Sequence, residues 1–264
     1  MLKGTKIAIG GKGGVGKTTV SAILAQLFAQ DGLEVIAVDA DPDTNLCNAF
    51  AIGDDQSPTP LVKMTALIGE RTGTGREATG AYFKLNPEVS DLPDEYCVDV
   101  AENLKLLVLG GINRAGSGCA CSAGTFLKAL LSHTILHREE LILVDLDAGV
   151  ECMGRSSILG IDILIIIVEP GSRSIETALN ITQMAKQLGV KHVAAIVNKV
   201  TSAEQFEDVK SQLQDLTILT QIAYSNEIQQ ADLQRKSAFE ACPELVEQLK
   251  VAKSALTKMI TDNR

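Results

Sequence analysis

Gly11-Lys12-Gly13-Gly14-Val15-Gly16-Lys17-Thr18 decides the fold, because it sits between an apolar run, Lys6 to Gly10, and an amphipathic stretch, Lys17 to Gln30. The spacing is a complete G-x-x-x-x-G-K-T, placed after a predicted strand and opening a predicted helix. Glycines allow the backbone N–H groups to turn inward around β- and γ-phosphates, and the helix N-terminus adds its positive end. In that setting Lys17 reaches the β/γ-phosphates and the Thr18 hydroxyl is a ligand for Mg²⁺. The chain reads as a nucleotide-binding protein.

Working outward, strand-like runs alternate with helix-like stretches, which predicts an α/β fold with a doubly wound, mostly parallel sheet. Further strands are expected at Glu34–Asp39, Leu104–Leu109, Leu141–Leu146, Ile163–Val168, Val193–Asn198 and Thr217–Ile222. Helices are expected near Thr125–His137, Ser174–Leu188, Ala203–Leu213, Ile228–Lys236 and Glu244–Ile260. Residues 54–102 break the rhythm. They hold Pro58, Pro60, Pro87 and Pro93 and the piece Thr72-Gly73-Thr74-Gly75, and read as an insertion or mobile loop region on one domain spanning 1–264.

Acidic residues close the strands. Asp145 ends Leu141–Val144, where a Mg²⁺-organising aspartate belongs, and Asp39, Asp41 and Asp43 follow the second strand. Carboxylates there position an attacking water or hold Mg²⁺, with a solvated acidic turn as the plain alternative. ATP hydrolysis follows, since no motif for a second acceptor is visible.

Composition narrows the partners. The 264 residues carry 24 Lys and Arg against 33 Asp and Glu, a net charge of -9, opposite to the excess a nucleic-acid binder needs. With no Trp and 3% aromatics, stacking platforms for single strands are scarce as well. The start, Met1-Leu2-Lys3-Gly4, has no apolar stretch behind it, and Ile163 to Val168 is too short to span a bilayer. A cytoplasmic, membrane-free location is expected, in which the six cysteines stay reduced and grouped ones suggest metal or redox work.

Lys12 carries a resemblance. The run Lys12 to Thr19 looks like the deviant Walker motif of ATPases for septum placement, plasmid partition, nitrogenase iron protein and metal-cluster assembly. The resemblance implies a homodimer in which Lys12 reaches the partner's nucleotide. Asp39-Ala40-Asp41-Pro42 resembles the first switch of those ATPases and Asp145-Leu146-Asp147-Ala148-Gly149 the second. Asn198-Lys199 is similar to the adenine-reading segment, and Ile222-Ala223-Tyr224 to the base loop that follows, with Ala223 where Pro is common. Within the group the chain is most similar to the nickel-insertion accessory ATPases of carbon monoxide dehydrogenase and acetyl-CoA synthase, through Gly116-Ser117-Gly118-Cys119-Ala120-Cys121 and Asp39 to Asp43. That family's Cys-x-Cys pair sits at the dimer contact and binds metal, which implies Cys119 and Cys121 as ligands and one of the two nickel enzymes as client.

The spacing is compatible with that role. Thiols two apart face the same way in extended backbone, and a two-fold dimer offers four, a full set for Zn²⁺ and a workable one for Ni²⁺ or Cu(I). Two alternatives stay open. Cys119 and Cys152 match the neighbourhood of the cluster cysteines of nitrogenase iron protein, which would make the chain an iron–sulfur electron-transfer ATPase. A membrane- or DNA-positioning ATPase is the other. Against membrane binding, the last helix interleaves Lys250, Lys253 and Lys258 with Glu244, Glu247 and Asp262, lacks aromatics, and reads as packed on the sheet. Cys47, Cys97 and Cys242 default to core or surface thiols, and His133 and His137, four apart, are either a metal pair or caps of the last helical turn.

Overall fold

The computed structural model describes residues 2–53, 55–74, 83–111, 122–147 and 160–262. Eight strands form one sheet: β1 Lys6–Gly11, β2 Val35–Asp39, β3 Val98–Ala101, β4 Leu104–Val108, β5 Leu141–Asp145, β6 Ile163–Val168, β7 His192–Val200 and β8 Thr217–Ala223. Their order is β3-β4-β2-β5-β1-β6-β7-β8, and every described pairing is parallel except β3 with β4. Every residue of β1, β2, β5 and β6 is buried, which explains why these strands read as continuous apolar runs instead of alternating ones.

The described helices begin with α1 Lys17–Gln30, α2 Leu46–Ala49, α3 Thr65–Thr72, α4 Leu92–Tyr96, α5 Ser122–His137 and α6 Ser172–Leu188. Side chains of alternate strand positions feed two cores, one on each face. Ala8, Ile36 and Val38 join Phe126, Leu130 and Ile135 of α5 (Ser122–His137) and Ile175 and Ile181 of α6 (Ser172–Leu188). Ile7, Ile9 and Ala37 meet Ile23, Leu24 and Phe28 of α1 (Lys17–Gln30) and Leu249 and Leu256 of the last helix, Pro243–Thr261. That last helix lies against α1, where the Lys253 amine meets Asp31 at 2.8 Å, as the packed-on-the-sheet reading expects. Among the described residues no helix is long and apolar enough to cross a membrane.

The stretch 54–102 corrects one expectation. Besides loop it holds a 3-10 turn at Leu61–Lys63, helices Thr65–Thr72 and Leu92–Tyr96, and the edge strand β3. Leu61, Ile68, Val89 and Leu92 are buried in the core beside α5, so this segment completes the core instead of hanging from it. Asn103 takes a left-handed φ of 61° in the tight turn that reverses the chain into β4, a conformation asparagine tolerates. A four-residue edge strand with alternate positions exposed gives little apolar signal after the prolines that precede it.

Topology places the site. β1 lies between β5 and β6, where the order of the sheet reverses, and ligands of open α/β sheets bind beyond the carboxyl ends of such strands. At the opposite end of β1, Lys6 is buried and its amine donates to the carbonyls of Arg138 at 2.5 Å and Glu140 at 3.1 Å. Burial pushes its pKa down to about 8 from 10.5. Between those values the unfolded chain holds a proton that the folded chain has released, so stability rises with pH there. Urea titrations at pH 8 and pH 10.5 are expected to show a gain, at most about 3 kcal/mol, that Lys6→Met removes; an equal pH response in both proteins would contradict it.

Candidate functional site

The phosphate loop is shaped by what lies beneath it. Gly11 has φ 143°, and a Cβ there would stand 2.5 Å from the carbonyl oxygen of Ile167 in β6, so the strand can leave the sheet only through glycine. Val15 at the loop's centre is fully buried, and its carbonyl accepts 2.7 Å from Asn198 Nδ2. Gly16, at φ 97°, caps α1 and packs so close to Asn198 that a Cβ would meet its Nδ2 at 2.5 Å. α1 begins with no side-chain cap and no acidic residue in its first turn, leaving its free N–H groups and positive end for an anion.

Lys17 and Thr18 follow. The Lys17 amine curls back to 3.4 Å from the Lys12 carbonyl, inside the loop. Thr18 Oγ1 donates to Asp145 Oδ2 at 2.7 Å, and Ser21 Oγ, a partner the sequence reading missed, donates to Oδ1 at 3.1 Å. Burial pushes the Asp145 carboxyl up to about 6, against the pull of those two hydroxyls and of Lys17. The donor set fits Mg²⁺, which takes hard oxygens, typically one or two carboxylates plus the phosphates of the substrate. Among the described residues no three His, Cys, Asp or Glu side chains form a metal centre of their own.

Parallel register sets Asp39 of β2 beside Asp145 of β5. Asp39 is completely buried and accepts the backbone N–H of Leu46 at 3.0 Å and of Asp41 at 3.2 Å. Burial, together with the nearby carboxylates, raises it to about 7. Asp39 therefore builds the loop, while Asp41 and Asp43 line the cavity, with the Asp43 N–H bonded to Asp41 Oδ1 at 2.8 Å. That cavity, of about 590 Å³, also contains Gly13, Gly14, Gly16, Lys17, Thr18, Thr19, Asp147 and Lys199.

Lys12 points elsewhere. Its amine lies 3.6 Å from Glu169 Oε1, while Lys199 Nζ holds Oε2 of the same carboxylate at 3.0 Å and the Gly14 carbonyl at 2.6 Å. Glu169 was not foreseen. Like Asp39 and Asp145 it stands at the carboxyl end of a buried strand, and that shared position is the signal that could have found it. Asn198, Lys199, Ala223 and Tyr224 meet Thr19 and Val20 at a second, smaller hollow of about 80 Å³ beside the loop. Ile222 is a correction: it is 1% exposed, packs in the core under α1 and does not line the hollow, because its position in β8 turns it inward.

Cys119, Cys121 and Cys152 lie outside the described residues. Cys47, Cys97 and Cys242 are free thiols, and burial lifts Cys97 to about 12, which suits a packing role.

Residues 6–238 match the family described as CobQ/CobB/MinD/ParA nucleotide binding domain. The chain is 41% identical over 240 residues, 90% of both sequences, to the carbon monoxide dehydrogenase accessory protein CooC of Rhodospirillum rubrum. It is 40% identical over 225 residues, 84% of this chain and 86% of the other, to an uncharacterized ATP-binding protein of Methanocaldococcus jannaschii. Among solved structures it resembles the septum site-determining protein MinD of Pyrococcus horikoshii OT3, complexed with Mg-ADP, with a TM-score of 0.68, 20% identity and 97% of each chain covered.

Proposed function

The chain belongs to the CobQ/CobB/MinD/ParA nucleotide-binding family, and from that premise we propose that it is an ATP-hydrolysing metallochaperone, one ATPase unit over residues 1–264, that serves a carbon monoxide dehydrogenase or acetyl-CoA synthase. The observation that supports hydrolysis most directly is the 2.7 Å contact of Thr18 with Asp145 at the cavity shared by Lys17 and Asp41. The client comes from the CooC relative, similar along 90% of its length.

In this reading the loop amides and Lys17 hold the β- and γ-phosphates, and Thr18 and Asp145 hold Mg²⁺. Mg²⁺ held there would neutralise negative charge on the phosphates. Asp41 orients the attacking water from its place on the cavity wall, fixed there by the Asp39 carboxylate. Asn198, Lys199, Ala223 and Tyr224 receive the adenine side. Lys12 leaves Glu169 when a second copy of the chain closes over the nucleotide and then acts on the partner's phosphate. Closure brings the Cys119 and Cys121 pairs of the two copies together around one Zn²⁺ or Ni²⁺ cargo ion, and hydrolysis loosens them for delivery in the cytoplasm, without nucleic acid or membrane.

Elemental analysis of anaerobically purified protein, with and without ATP, tests it. About one divalent ion per dimer is expected, with sulfur ligands of a tetrahedral kind. The Cys119→Ala/Cys121→Ala variant is expected to lose that ion and keep nucleotide affinity. Unchanged metal content in the variant overturns the cargo site, and iron with acid-labile sulfide and broad visible absorption would favour electron transfer instead.

A further inference from the structure

Three histidines occur in the chain, and two of them, His133 and His137, stand one turn apart on α5. Their ring centroids are 4.9 Å apart at an interplanar angle of 36°. Residues four apart share a helix face, and paired imidazoles at this spacing are a recurrent metal-binding arrangement. The separation itself is informative. With metal–nitrogen bonds of about 2.0–2.1 Å and a cis angle of roughly 90–109°, two imidazoles on one ion have centroids about 4.5–5.2 Å apart.

The plain alternative is that these rings cap the end of α5. No hydrogen bond ties either ring to a described residue, so neither donates to a helix carbonyl there. Nor are they core filler: His137 is exposed, His133 half-buried, and the buried stripe of α5 runs along Phe126, Leu130 and Ile135 instead. The charged groups acting on His133 are Glu88, Asp94 and Arg138, besides His137 itself. Arg138 is engaged by Asp94 at 2.7 Å and by Glu140, so its charge is largely compensated.

We propose that His133 and His137 form a bidentate imidazole site for a borderline divalent cation, Ni²⁺ or Zn²⁺, on the outer face of α5. Imidazole nitrogen suits both ions. Two protein ligands leave the remaining positions to water, which makes the site exchangeable. The cation's role as cargo on its way to Cys119 and Cys121 rests on the function proposed above; binding by the imidazoles does not.

The test uses the full chain in the Cys119→Ala/Cys121→Ala background and in the wild type, with histidine ring protons followed by NMR. Ni²⁺ added below one equivalent is expected to broaden two ring signals together and spare His192, the internal control at the start of β7. His137→Ala, at an exposed position that folding does not need, is expected to raise the Ni²⁺ concentration that broadens His133 at least tenfold; His133→Asn should act likewise on His137. Broadening of all three rings alike, of none, or of His133 unchanged in His137→Ala overturns the site. A wild type without thiol-bound metal, alongside early broadening of the two rings, would refute the cysteine reading while leaving this one standing.

Discussion

Lys17→Ala is expected to lower ATP turnover per unit of ATP at least about 10³-fold, through loss of nucleotide affinity and of the chemical step together. Single preorganised donors onto a developing oxyanion contribute about 10²–10³, and Lys17 adds a full charge from inside a loop held in shape by the chain's own contacts. Val15 is buried, Asn198 donates to its carbonyl, and the Lys17 amine lies 3.4 Å from the Lys12 carbonyl. Lys12→Ala should separate from it. Lys12 is paired with Glu169 and does not line the nucleotide cavity of its own chain, so its loss should leave affinity within about threefold while turnover falls by a factor of the size seen for cationic fingers supplied in trans, roughly 10³. Fluorescent-nucleotide titration and phosphate release, run on both variants, distinguish the two lysines. Equal loss of affinity in both would place Lys12 in its own chain's site.

Much of this site could be read in the sequence because its chemistry is local. The phosphate loop needs glycine where the chain takes positive φ, lysine and threonine where a helix begins, and an aspartate where a buried strand ends. Each leaves a fixed residue at a fixed offset. β1, β5 and β6 were legible for the same reason: strands buried on both faces are apolar between their ends, with Lys6 and Asp145 only at the ends of β1 and β5. What escaped reading depends on contacts between distant segments. Ser21 is an ordinary helix residue until Asp145 arrives from 124 positions away, and Glu169 gains meaning only when Lys12 and Lys199 meet over it. Ile222 failed for a different reason. A motif resemblance assigns a segment to a site, whereas strand pleating decides which of its side chains face that site, and here Ala223 and Tyr224 do.

Asp39 shows how far apart position and role can lie, and the second large effect is expected there. Its place at the end of β2 suggests a Mg²⁺ or water carboxylate, yet it is fully buried and its oxygens are taken by the N–H groups of Leu46 and Asp41. Asp39→Ala orphans both donors, at about 1–3 kcal/mol each. Removing a carboxyl that burial already raises to about 7 offsets part of that loss. A net destabilisation of about 2–3 kcal/mol follows, a fall in Tm of roughly 4–6 °C for a chain of this size. ATP turnover should collapse with it, since Asp41 loses the bond that fixes its backbone. Asp39→Asn keeps the shape but turns an amide NH₂ toward one of the two donors, so its Tm should fall between the others. Asp41→Ala, at a half-buried position on the cavity wall, is expected to lose turnover with Tm within about 2 °C of the parent. Calorimetry and phosphate release on the three variants separate building the loop from acting at the phosphate; an Asp39→Ala protein as stable as Asp41→Ala would mean that the two N–H groups find other acceptors and that Asp39 works on the nucleotide itself.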